Sequence, residues 1–206
     1  MSDKRGESSV HVPGWLRLWH AGMALTVVVL TLTGLLVHFG GWVPGNGLAS
    51  VVAIHEATGI AGGVIYALGL TGLAASGDWR RYLPPRRHLI GSLAEQFRYY
   101  AFRLPRQDLA KVTAREQRFN PLQQCVYLAT LVVCLPVLLG TGIAFMFPQT
   151  LPKTIMGYAG LWPVAALHTL AAVFVLIFLL VHIYLAFAAA PHLASLRLMV
   201  TGHWRH

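Results

Sequence analysis

Residues 166–187 read ALHTLAAVFVLIFLLVHIYLAF, a stretch that is almost all hydrocarbon and yet carries two histidines, His168 and His182. Fourteen residues separate them, which on a helix is close to four turns: about 40° apart around the axis and ~21 Å apart along it. The two imidazoles therefore share one face, one near each end of the segment. Ionisable groups at such depth are costly in lipid and mark function more often than structure.

Working outward, the whole chain has the same character. Its 206 residues are 56% hydrophobic and only 11% charged, with a mean hydropathy of +0.59, well outside the range of ordinary soluble domains. Four apolar runs, about 15–39, 50–75, 122–147 and 161–190, are long enough to cross a hydrocarbon core of roughly 30 Å. Chain in lipid must satisfy its own backbone hydrogen bonds, so runs of this length are helices. The expected fold is all-α, a four-helix transmembrane bundle in which 1–206 form a single integral-membrane domain.

Lys4 and Arg5 precede the first apolar run, but that run is too long for a signal-peptide core and no small-x-small cleavage site follows it. It is expected to stay as the first helix. Fifteen of the sixteen basic residues fall on one side of a four-pass arrangement: Lys4, Arg5, Arg17, ten between Arg80 and Arg118, Arg197 and Arg205. Lys153 alone falls on the other. The positive-inside rule then places both termini and the 76–121 loop in the cytoplasm. The formal net charge of +9 reads as topology and attraction to anionic lipid headgroups, not as a nucleic-acid footprint. Within the loop, DWRRYLPPRRHLIGSLAEQFRYYAFRLPRQ opens with a Pro-Pro break and continues as a basic, aromatic helix suited to the headgroup layer.

Cys125 and Cys134 lie nine residues apart, on nearly opposite faces of the third helix, and read as buried apolar fillers that do not bridge each other. With no CxxCH, covalent attachment of a c-type haem is excluded.

Five of the ten histidines fall inside the apolar runs: His20, His38, His55, His168 and His182. Helices alternate in direction, so His20, just inside the start of the first, matches the depth of His182 near the end of the fourth. His55 and His168, each a turn or two inside the start of a returning helix, match one another in the opposite leaflet. Two pairs at two depths suit a porphyrin iron ligated by imidazole on both faces, a site that carries electrons and has no vacancy for oxygen. His38 lies ~27 Å beyond His20 on the same face, at the outer rim, where its depth fits neither pair as well. Glycine recurs beside these positions, with Gly62 and Gly69 following His55 at seven-residue steps, Gly59 and Gly63 alongside, and Gly34 fourteen residues beyond His20. Flat surfaces of this kind serve a planar cofactor, and they equally serve close helix packing. Glu56, the one carboxylate inside an apolar run, is either a partner of His55 or a proton group near the outer surface.

The segments RLWHAGMALTVVVLTLTGLLVHF, AIHEATGI, FNPLQQCVYLATLVVCLPVLLGTGI, HIYLAF and LRLMVTG resemble the di-haem cytochrome b subunits of respiratory formate dehydrogenases, nickel-iron hydrogenases and thiosulfate reductases, from the first helix almost to the C-terminus. The resemblance implies a multi-pass protein of the bacterial inner membrane with two b haems stacked across the bilayer. Its ligand pattern falls on His20 and His182 for the cytoplasmic-side iron and on His55 and His168 for the periplasmic-side iron. It implies electron transfer between the quinone pool, menaquinone or ubiquinone, and a periplasmic molybdoenzyme, hydrogenase, iron-sulfur or multihaem cytochrome subunit. The family's Asn-x-x-Gln at the start of the third helix falls on Asn120 and Gln123, which the resemblance makes quinone-binding. Asn120 before Pro121 is also a good helix cap. With no molybdenum site or iron-sulfur cysteine cluster in the sequence, no substrate chemistry beyond quinone redox is expected. Two other readings are a stand-alone quinol-oxidising cytochrome of the bacterial b561 type and, from a different class, a haem-free transporter or anchor with proton-relay histidines.

Overall fold

The computed structural model describes residues 10–42, 44–45, 47–77, 79–80, 83, 89–98, 121–188 and 194–204. Four helical spans are long and apolar enough to cross a membrane, as expected: residues 14–38, 47–76, 122–146 and 161–187. Their ends lie within about three residues of the expected ones. The first is α1 (Gly14–His38) and the second α2 (Gly47–Ser76). In the basic loop, α3 (Leu89–Arg98) realises the expected helix and lies against the next span. That third span comprises α4 (Pro121–Ala129), a π-helical turn Thr130–Cys134 and α5 (Leu135–Met146). The fourth is α6 (Leu161–Ala188), and α7 (Ala194–Thr201) follows it.

The distribution of side chains is that of a protein solvated by lipid. Leu25, Leu68, Leu170 and Leu180 are each at least 60% exposed, whereas Thr26, Thr33, Thr130 and Thr141 are buried. Each of these threonines donates its hydroxyl proton to a carbonyl in the preceding turn of its own helix, so polarity is sheltered inside the bundle and hydrocarbon is turned outward.

The α1–α2 contact follows a seven-residue rhythm on both partners. Across the α2 line of His55, Gly62 and Gly69 runs an α1 line of Thr33, Thr26 and Trp19. A Cβ at Gly62 would stand 3.5 Å from Thr26, and one at Gly69 would overlap the Trp19 indole. Trp19 is fixed there by its Nε1–H, which donates to the Ile65 carbonyl at 3.0 Å. Gly63 faces Leu139 of α5 at 3.1 Å in the same sense. The α2 glycines thus serve helix packing, while a Cβ at Gly34 of α1 would stand 3.4 Å from Cε1 of the His55 ring.

The π-turn was not expected from the sequence. Leu135 N–H reaches back five residues to the Thr130 carbonyl, and Pro136, having no N–H, leaves the Leu131 carbonyl without a helical donor. Tyr66 of α2 supplies the missing hydrogen bond at 2.6 Å. Cys125 and Cys134 are both free, Cys134 buried and Cys125 half-buried.

Short strands tie the ends of the bundle. β1 (Val10–His11) pairs antiparallel with β4 (His203–Trp204), with Val10 opposite Trp204 and His11 opposite His203. Val12 N–H donates to the Gly202 carbonyl at 3.0 Å, and the Arg17 guanidinium donates to the Val200 carbonyl. Both ends of the four-pass chain therefore sit on one side. On the other side, β2 (Thr154–Ile155) and β3 (Tyr158–Ala159) form a hairpin. Met156 and Gly157 at its tip both have positive φ, 52° and 83°, as a tight I′-like hairpin turn requires.

Candidate functional site

Close backbone packing sets α1 against α2 and α5 against α6, with α2 meeting α5. Among the described residues, α6 makes its main close backbone contacts with α5, the π-turn, β3 and α7, and approaches α1 and α2 less closely. The histidines reach across that wider separation. His20 of α1 faces His182 of α6 with ring centroids 6.1 Å apart and planes inclined at 48°. His55 of α2 faces His168 of α6 at 6.4 Å and 65°. The four residues paired by depth in the sequence are brought together in those same pairs.

The separations have the length of a metal bridge. Imidazole nitrogen binds a metal at about 2.0–2.1 Å and lies about 1.1 Å from its ring centre, so two rings on opposite sides of one metal ion have centroids about 6.3 Å apart. Both gaps match. A ligand that brings its own four equatorial nitrogens needs only two from the protein, one per face, which fits a porphyrin iron.

Hydrogen bonds select the tautomer of the His55–His168 pair. Thr33 Oγ1 lies 2.7 Å from the Val29 carbonyl and 2.8 Å from His55 Nδ1. A hydroxyl has one proton and a carbonyl can only accept, so that proton goes to Val29 and the threonine oxygen accepts from Nδ1–H. Thr141 repeats the arrangement, 2.6 Å from the Val137 carbonyl and 2.7 Å from His168 Nδ1. This assignment, made from the hydrogen-bond network, leaves Nε2 of both rings with a free lone pair for a metal. In the other pair, the Tyr127 hydroxyl lies 3.5 Å from His182 Nδ1, and Phe178 stacks on the His182 ring at 5.5 Å and 26°.

Thr33, Thr141 and Tyr127 were not singled out in the sequence. The signal for Thr33 was present as the Trp19, Thr26, Thr33 line in α1, which has the same seven-residue step as His55, Gly62 and Gly69. His38 joins neither pair; it is exposed, with its ring edge-on to Phe39 at 4.8 Å. Glu56 is likewise exposed, on the outer face of α2. Gln123 is half-buried in the first turn of α4, one turn before Tyr127, whose ring centroid lies 6.0 Å from that of His182. Asn120 lies outside the described residues.

Comparison with known proteins points the same way. The family described as prokaryotic cytochrome b561, which takes in the cytochrome b subunits of hydrogenases and formate dehydrogenases, matches residues 11–202. The protein of Escherichia coli (strain K12) named "Putative cytochrome YdhU" is 32% identical over 195 residues, covering 93% of this chain and 72% of its own length. With four apolar spans and a family match over nearly its whole length, this chain belongs to the prokaryotic cytochrome b561 family of multi-pass membrane proteins that bind haem b.

Proposed function

We propose that this chain is a di-haem electron-transfer subunit, with His20 and His182 holding a cytoplasmic-side iron, His55 and His168 a periplasmic-side iron, and the quinone pool as one redox partner. The observation that carries the reading is the pair of imidazole gaps, 6.1 and 6.4 Å, each the length of a bis-imidazole metal site. When bound, each haem supplies a one-electron Fe(III)/Fe(II) couple. With an imidazole from each side, these histidines would hold a bound haem with no place left for oxygen. The fourteen-residue spacing of His168 and His182 sets the sites ~21 Å apart along α6, and electrons cross the hydrocarbon core without a moving part.

The orientation follows from the basic residues, which favour the cytoplasm for both ends of the chain and for the 76–121 loop. A periplasmic redox subunit, a molybdoenzyme, hydrogenase, iron-sulfur or multihaem cytochrome, then meets the His55–His168 end. Asn120 and Gln123 serve the quinone: a neutral amide donates a hydrogen bond to a quinone carbonyl, and the membrane surface supplies protons from water. Gln123 supports this through its place in the chain, one helical turn from the tyrosine that touches His182.

The test follows haem reduction by a quinol analogue in the purified protein. His182→Ala should lose one haem and quinol-driven reduction together, while the second haem stays reducible by dithionite. An Asn120→Leu, Gln123→Leu double variant should keep both haem spectra and slow the quinol reaction at least tenfold. Unchanged rates in the double variant would discard the quinone assignment.

A further inference from the structure

The two imidazole pairs are held differently. In the outer pair both Nδ1 atoms meet a threonine oxygen, Thr33 at 2.8 Å and Thr141 at 2.7 Å. In the inner pair the Tyr127 hydroxyl stands 3.5 Å from His182 Nδ1, beyond the range of a strong hydrogen bond. Among the described residues, no hydrogen bond reaches His20.

We infer that Thr33 and Thr141 hold the His55–His168 site at a lower reduction potential than the His20–His182 site. The inference rests on the ligand assignment proposed above. An imidazole whose Nδ1–H donates to a good acceptor gains imidazolate character, and its Nε2 becomes more basic. A more basic axial nitrogen stabilises Fe(III) over Fe(II), and hydrogen bonds of this kind are among the means by which a protein sets a haem potential. The threonines cannot reverse their role, since each hydroxyl proton is committed to a carbonyl of its own helix, Val29 or Val137.

The asymmetry has a direction. Each site exchanges one electron between Fe(III) and Fe(II), with no bond made or broken at the ligands. An electron given by a periplasmic donor to the outer site and passed to the inner one moves to the higher potential. Two such electrons, with two protons taken up from water, convert one quinone to quinol. Thr33 and Thr141 are positioning residues here, because they act through the histidines and touch no reacting atom.

The experiment is an optical redox titration of purified wild type, Thr33→Val, Thr141→Val, the matching serine variants and His168→Ala. Wild type should show two one-electron midpoints, and His168→Ala should lack the lower. Each valine variant should retain two haems and raise the lower midpoint, with the ferric/ferrous equilibrium at the outer site changing up to about tenfold, equivalent to ~59 mV for a one-electron couple. The higher midpoint should stay, and the serine variants, which keep the hydroxyl, should match wild type. A lower midpoint unmoved in both valine variants would overturn the inference, as would a His168→Ala protein that lacks the higher midpoint. The second result is decisive even where a valine variant fails to load haem. A wild-type haem content other than two per chain would remove the ligand assignment itself, a failure distinct from a potential that does not shift.

Discussion

The Tyr66 hydroxyl of α2 donates to the Leu131 carbonyl at 2.6 Å, at the point where the π-turn and Pro136 together deprive that carbonyl of a backbone donor. In lipid an unpaired carbonyl has no water to fall back on. Tyr66→Phe should therefore cost about 1 kcal/mol, in the range measured for side-chain hydrogen bonds in membrane proteins and for orphaned buried groups. Pro136→Ala restores an N–H to the helix, so the double variant should lose less than Tyr66→Phe alone. Thermal unfolding in detergent measures both, and equal losses in the two proteins would show that Tyr66 does not compensate for the proline.

A second prediction concerns the α1–α2 seam. A methyl group at Gly69 would run into the Trp19 indole, which is tethered to the Ile65 carbonyl and cannot swing aside without giving up that bond. Overpacking of this kind costs about 1–3 kcal/mol. Gly69→Ala should lower the thermal midpoint by several degrees. Gly140→Ala, where nothing stands within 4 Å, should be neutral or stabilising, because alanine restricts the unfolded chain and favours helix.

The spans and the histidine pairs were legible in the sequence for physical reasons. Length and apolarity alone decide whether a segment crosses a bilayer, and depth in an antiparallel bundle follows from counting residues along rigid helices. That counting is enough to match His20 with His182 and His55 with His168. Other features depend on partners that a single segment does not contain. The glycines of α2 were open between cofactor and packing until Trp19, Thr26 and Leu139 stood opposite them. The threonine contacts to Nδ1 depend on the rotation of α1 about α2 and of α5 about α6, which the weakly one-sided hydropathy of these helices does not report. The π-turn depends on which carbonyl Pro136 orphans, and hydropathy is blind to that.

Topology gives a third prediction. A reporter fused after His206 should be cytoplasmic, and one inserted in the 148–160 segment, which holds the Met156 hairpin, should be exported, because the basic residues favour one side so strongly. The opposite pattern would exchange the two sites and put the Gln123 end of the bundle at the outer face.

The central claim, that two imidazole pairs hold two b haems, is tested most directly by counting them. A pyridine haemochrome assay on protein purified from a haem-replete host should give two b haems per chain in the wild type. The His168→Ala variant should give one, with a low-spin spectrum retained from the His20–His182 site. Folded wild-type protein with no haem, or with one haem that survives in His168→Ala, would contradict the account.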